Sequence, residues 1–197
     1  LYIGLVLYGV STALFVHANL GADPWDVFHL GVAKQLGISF GTVIILTGAA
    51  VLLLWIPIRQ MPGLGTVSNV IVLGLAADAT LAVLPPLESL VARSVLLVGA
   101  IVLNAIATGM YIGAGFGPGP RDGLMTGLHA RTGWSLRGIR TAIELTVLVI
   151  GWLLGGKFGV GTVIYALSIG PLIQLCLPWF RQPVSRKAVS TPQVIVS

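Results

Sequence analysis

Charge is scarce in this chain of 197 residues: six are acidic and 11 are Lys or Arg, so charged side chains make up 9% of the whole. An average soluble domain carries roughly a quarter. With 56% hydrophobic residues and a mean hydropathy of +0.98, the chain cannot fold in water without exposing apolar surface. Cysteine is almost absent: Cys176, in an apolar stretch, has no partner, which excludes an internal disulfide framework and a cysteine-based metal site. His17, His29 and His129 lack the spacing and the carboxylate company of a metal centre, and an interfacial or packing role is expected of them. No nucleophile elbow, zinc-protease signature or phosphate loop occurs, so neither an enzyme nor a cofactor is expected. The net charge of +5 calls for no nucleic-acid partner, because no soluble segment is long enough to gather basic residues on one surface.

What the chain has instead is long apolar runs, such as Val43 to Ile58 and Val95 to Gly109. Lipid solvates runs of this kind, and the lipid bilayer is the first partner implied. Six membrane helices are predicted, at Leu1 to Ala18, Ser39 to Ile58, Thr66 to Leu84, Ser94 to Gly115, Gly138 to Leu154 and Thr162 to Phe180. Two shorter segments, Pro24 to Leu36 and Pro120 to Thr132, interrupt the series. Each makes a helix of roughly 20 Å, too short for a ~30 Å hydrocarbon core, and is expected to be re-entrant or interfacial. The chain begins with Leu1, so it is expected to start inside a longer protein.

Sliding the chain against itself by 96 positions brings out an internal repeat without a gap. Gly21, Pro24, Asp26, Gly31, Gly37 and Ser39 fall on Gly117, Pro120, Asp122, Gly127, Gly133 and Ser135; Gly63, Gly65, Thr66 and Gly74 fall on Gly159, Gly161, Thr162 and Gly170. Residues of turns and caps do not coincide through general hydrophobicity. The expected fold is therefore an all-α membrane protein. Residues 1–90 and 91–181 form two three-helix repeats, each with a short re-entrant or interfacial helix, and 182–197 is a cytoplasmic tail. Three spans per unit force the second copy to enter the membrane from the opposite side, giving inverted topology. With the N-terminus inside, Arg59, Arg121, Arg131, Arg137, Arg140, Arg181, Arg186 and Lys187 are cytoplasmic, against Lys34, Arg93 and Lys157 outside. The same rule accounts for Arg121 standing where the first copy has Trp25: the two positions are expected on opposite faces, with both chain termini cytoplasmic.

The motif with most chemical content is Gly21-Ala22-Asp23-Pro24-Trp25-Asp26, echoed by Gly117-Pro118-Gly119-Pro120-Arg121-Asp122. Its grammar is that of a broken helix restarting. Gly ends the preceding span, Asp23 or Gly119 takes the cap, Pro the first helical position, and Asp26 or Asp122 the third. The aspartates either satisfy amides at a helix start or, where such N-termini face a cavity and form anion sites, bind cations or protons. Within the spans, Glu144 lies one turn beyond Arg140, and the two form either a structural pair or part of a transport path. Tyr8 and Asn104, Asn69 and Tyr165, and Asp78 and Gln174 occupy matched positions, as either a wet interface between repeats or interhelical hydrogen bonds requires. Trp55, Trp152 and Trp179, near span ends, are expected as interface anchors.

These duplicated Gly-x-Asp-Pro-Trp-Asp and Gly-Pro-Gly-Pro-Arg-Asp-Gly-Leu-Met segments, with the following Pro-Gly-Leu-Gly-Thr and Gly-Val-Gly-Thr, resemble the YczE/YitT-like family of bacterial inner-membrane proteins from the first span to Phe180. The resemblance implies a multi-pass protein of the bacterial plasma membrane and supplies no substrate. Two functions follow as expectations. One is a transporter for an unknown small solute or ion, with its site between the repeats. The other is a non-transporting scaffold or accessory subunit for a partner protein. Homo-oligomerisation is compatible with both.

Overall fold

A computed structural model describes residues 1–180; Arg181, Arg186, Lys187 and the rest of the predicted tail lie outside the described residues. Among the described residues eight helices make up the fold: α1 (Tyr2–Ala18), α2 (Pro24–Leu36), α3 (Phe40–Ile58), α4 (Leu64–Val83), α5 (Leu90–Gly113), α6 (Pro120–Thr132), α7 (Leu136–Leu153) and α8 (Val160–Phe180). The bounds of α2 and α6 agree with the sequence pattern, and the starts of α2, α3 and α4 recur at α6, α7 and α8 at the offset of 96.

Local chemistry explains the agreement. Asp23 caps α2 by accepting the Asp26 N–H at 2.6 Å, with Pro24 in the first turn. Ser39 and Ser135 cap α3 and α7 by accepting the N–H groups of Thr42 and Gly138 at 3.2 and 3.1 Å. Gly37 and Gly133 end the short helices at φ 66° and 71°, a left-handed backbone that glycine adopts without a Cβ clash. Longer-range contacts also recur. The Gly65 N–H donates to the Phe116 carbonyl and the Gly161 N–H to the Leu20 carbonyl, each at 2.8 Å, so the foot of α4 is tied to the turn before α6 and the foot of α8 to the turn before α2.

At the centre α1 and α5 run antiparallel. Gly4 meets Met110 and Tyr111, Asn104 donates to Ser11 Oγ at 2.9 Å, and Arg93 Nε donates to the Ala18 carbonyl at 2.7 Å. Alongside them α4 lies parallel to α1 and α8 parallel to α5, with Gly9 against Leu73 and Ala76, and Gly113 against Phe180. The short helices are exchanged. α2 lies on α7, where Gly31 meets Gly151 and Leu154, and α6 lies on α3, where Gly123 packs on the Trp55 ring.

Among the described residues four helices, α3, α4, α5 and α8, are long and apolar enough to cross a membrane by length and composition. The 17-residue α1 is apolar but shorter, and α7 carries Arg137, Arg140 and Glu144. Large apolar side chains face outward from several helices, among them Ile56 at 71% exposure and Leu167 at 75%. Water would not tolerate such a surface and acyl chains do. Trp152 and Trp179 are exposed as anchors must be, but Trp55 is not an anchor. It is buried in the core with Trp25, Val51 and Leu124, and its Nε1–H donates to the Pro120 carbonyl at 3.0 Å. Position near a span end did not reveal that an opposing glycine, Gly123, makes room for the indole.

Candidate functional site

The two broken-helix motifs meet. Arg121, in the first turn of α6, places Nη1 3.4 Å from Asp23 Oδ2 and Nη2 4.0 Å from Asp26 Oδ1, on the first turn of α2. Its guanidinium carbon lies 4.7 Å from the centroid of the Trp25 ring, a cation–π contact. Trp25 and Arg121 are thus in contact and not segregated to opposite faces. Arg121 is held by carboxylates and an indole, so it does not serve as a free cytoplasmic charge, and the positive-inside count loses it. The pairing partner lies in the other repeat, beyond the reach of a local charge rule.

Asp23 and Asp26 are both buried. Leaving either carboxylate without a partner would cost several kcal/mol. Asp23 has two partners, the Asp26 amide and Arg121. Asp26 faces Arg121 and, at 3.3 Å, Nδ1 of His29, itself fully buried. On α6, Asp122 accepts the Tyr111 O–H at 2.8 Å. Capping of a helix amide accounts for Asp23 alone; Asp26 and Asp122 serve side chains.

Beside this cluster lies a cavity of about 80 Å³, room for roughly half a dozen waters. Its wall takes Tyr8 from α1, Trp25 and His29 from α2, Thr47 and Gly48 from α3, Asn69 from α4, Tyr111 from α5, and Gly119, Pro120, Arg121 and Asp122 from the head of α6. The Nε1–H of Trp25 is buried without a protein acceptor. Aromatic faces, an amide, hydroxyls, a guanidinium and a carboxylate converge there with the N-terminal end of a 13-residue helix. Such a wall can coordinate a small polar solute or ion.

Of the sequence candidates, Trp25, Gly119, Pro120, Arg121 and Asp122 line the cavity, while Asp23 and Asp26 stand behind Arg121, with Pro24 between them at the start of α2. Asn104 does not line it: it joins Ser11 and accepts the Tyr165 O–H at 3.3 Å. Arg140 and Glu144 pair at 2.8 Å on the outer part of α7, away from the cavity wall. His29 was missed as a site residue; its spacing of three from Asp26 on a short helix was the signal, and it does have carboxylate company. Among the described residues no group of three or more His, Cys, Asp or Glu is placed to hold a metal ion.

Residues 1–178 match the model of a family of unknown function, DUF6198. An uncharacterised protein of Haemophilus influenzae is 37% identical over 177 residues, 90% of this chain and 81% of that protein. The uncharacterised membrane protein YczE of Bacillus subtilis is 31% identical over 179 residues, 90% of this chain and 83% of that protein. A second Bacillus subtilis protein, the uncharacterised YyaS, is 24% identical over 180 residues, covering 89% of this chain and 90% of its own length. No solved structure matches. With its apolar helices and its match along nearly the whole length, this chain is a membrane protein that belongs to the DUF6198 family of YczE-like proteins.

Proposed function

We propose that this protein is a transporter of a small polar solute or ion in the bacterial inner membrane, with its binding site between two inverted repeats. The observation that carries this reading is the convergence of the two short helices, head to head, on a buried charged cluster beside a polar cavity. Discontinuous helices whose ends meet at a repeat interface are how membrane transporters hold polar cargo away from lipid. The antiparallel crossing of equivalent helices α1 and α5, and the recurrence of helix starts at one offset, support inversion with six spans. In this topology α1 and α7 cross the bilayer with the four more apolar helices and both termini are cytoplasmic. No catalytic role is assigned to any residue.

The test is flux. Protein reconstituted in vesicles is expected to move at least one proton, ion or small-solute probe from a broad panel, and Asp122→Asn is expected to abolish that flux while the protein stays folded. Unchanged fluxes across the whole panel would overturn the reading. Inversion has its own check: cysteines at Gln35 and Arg131, equivalent positions in the two copies, are expected to react with impermeant reagents from opposite faces.

A second reading, a scaffold or accessory subunit, is favoured by one observation: among the described residues, the Arg140 side chain on α7 is left 54% exposed and that of its partner Glu144 31%. A stoichiometric partner that is lost from the purified Arg140→Ala/Glu144→Ala variant would support it.

A further inference from the structure

The transport reading leaves the cargo open, and the charges around the central cavity narrow it. Three carboxylates stand at the two helix heads: Asp23 and Asp26 at α2, and Asp122 at α6. One cation, Arg121, is placed among them, 3.4 Å from Asp23 and 4.0 Å from Asp26. The two helix N-termini add roughly +0.5 each. With His29 neutral, three negative charges therefore face about two positive ones, which leaves an excess of about one negative charge. Within a bilayer such an excess is costly unless a counter-charge is bound.

The cavity wall offers that counter-charge a place. Tyr8, Thr47, Asn69 and Asp122, from α1, α3, α4 and α6, all line it. Asp122 commits its Oδ2 to the Tyr111 hydroxyl. Its Oδ1, the hydroxyls of Tyr8 and Thr47 and the side-chain amide of Asn69 take part in no hydrogen bond among the described residues. Nor are they shut away from solvent, since the fully buried side-chain polar atoms without a partner are Trp25 Nε1 and Thr108 Oγ1. Accessible, unpartnered groups on four helices thus surround one space of about 80 Å³, and each of them supplies an oxygen. The strongest donor of the wall, Arg121, is already engaged by two carboxylates and the Trp25 ring.

Hydroxyl, amide and carboxylate oxygens are the ligands of hard cations. A divalent ion calls for more carboxylates than this wall has: Asp122 is the one that lines it, and among the described residues no group of three His, Cys, Asp or Glu is placed to hold a metal. From these observations we infer that the cavity binds a small monovalent cation, an alkali or ammonium ion, on Asp122 Oδ1 with the oxygens of Tyr8, Thr47 and Asn69. Asp122 also lines a second, open cavity of about 400 Å³ with Ile112, Gly115, Gly117 and Pro118, and no cationic side chain lines that space. A cation arriving there reaches the carboxylate without passing a like charge; Lys34 and Lys157 line a different cavity, with His17. This inference rests on the central cavity being the transport site, and it names the class of ion handled there.

The experiment keeps the purified full chain in N-methyl-D-glucamine chloride, whose cation is bulkier than the probes, and replaces it with sodium, potassium or ammonium chloride at constant ionic strength. Thermal unfolding and titration calorimetry are read. At least one of the three cations is expected to raise the unfolding midpoint saturably. Asp122→Asn removes the charge and is expected to abolish that response. Thr47→Val keeps the shape, removes one oxygen, and is expected to weaken binding about tenfold. Glu144→Gln, which alters a carboxyl group outside the cavity wall, is expected to leave the response in place. A folded wild type that responds to none of the three cations overturns the inference, as does an Asp122→Asn protein that still responds or a folded Glu144→Gln protein that does not. Should Asp122→Asn not fold, unchanged affinity in Thr47→Val overturns it equally. The outcomes separate the two claims: saturable cation binding without flux of any probe sinks transport and keeps the site, whereas flux of a neutral solute or an anion without cation binding does the reverse.

Discussion

The last three helices of each copy begin at matched residues, yet the final two meet in opposite ways. In the first copy α3 and α4 are sealed together: Gly41 and Gly74 bring the two backbones into contact, and Asp78 accepts the Gly41 N–H at 2.6 Å and the Ser39 hydroxyl. In the second copy α7 and α8 barely touch. The equivalents of Gly41 and Gly48 are Arg137 and Glu144, and a Cβ on Gly170, the counterpart of Gly74, would meet nothing within 4 Å. Side chains as long as Arg and Glu do not fit the close contacts that Gly41 makes with Gly74 and Gly48 with Val70, so the second pair of helices cannot close in the same way. Matched caps fix where helices start, and small residues fix whether they close.

This contrast can be attacked at several points. The largest effect is expected where the copies are joined: Arg121→Met strands Asp23 and Asp26 without their counter-charge and should cost about 4 kcal/mol in denaturant unfolding. Next comes Gly41→Val, which forces a side chain into the Gly74 carbonyl and should cost about 3 kcal/mol, read as a lowered unfolding midpoint. Asp78→Asn removes the charge from the seal at the head of α3 and should cost about 1.5 kcal/mol in the same measurement. Smallest is Gly170→Val, at the open counterpart of the Gly41–Gly74 contact, which should change stability by less than about 0.5 kcal/mol. Equal losses in Gly41→Val and Gly170→Val would erase the distinction between a sealed and an open pair.

Much of this was legible in the sequence, and for local reasons. Pro24 and Pro120 after a cap residue, and Gly37 and Gly133 at left-handed ends, define α2 and α6 without reference to the rest of the chain. The polar pairs at matched positions split between the two roles foreseen for them. Tyr8 and Asn69 line the cavity, while their counterparts Asn104 and Tyr165 hydrogen-bond one another between α5 and α8. What stayed hidden depends on contacts between residues 37 to 98 positions apart in the chain. Arg121 reads as a topogenic cation until Asp23 is brought beside it, and Trp55 as an anchor until Gly123 opens a slot for it. Asp78 likewise reads only as a matched polar position, and it is the approach of α3 that gives it the amide and hydroxyl it accepts from.

The exchange of α2 and α6 between the repeats bears on how the chain matures. A fragment cut in the connection between α4 and α5 would carry a short helix whose bed lies on the other fragment. Each piece would leave its short helix off the surface it packs on most, and α2 has to wait for α7 to be synthesised before it can dock there. The final architecture is in this respect post-insertional: the ribosome delivers most of the chain before the first of its re-started helices finds its place.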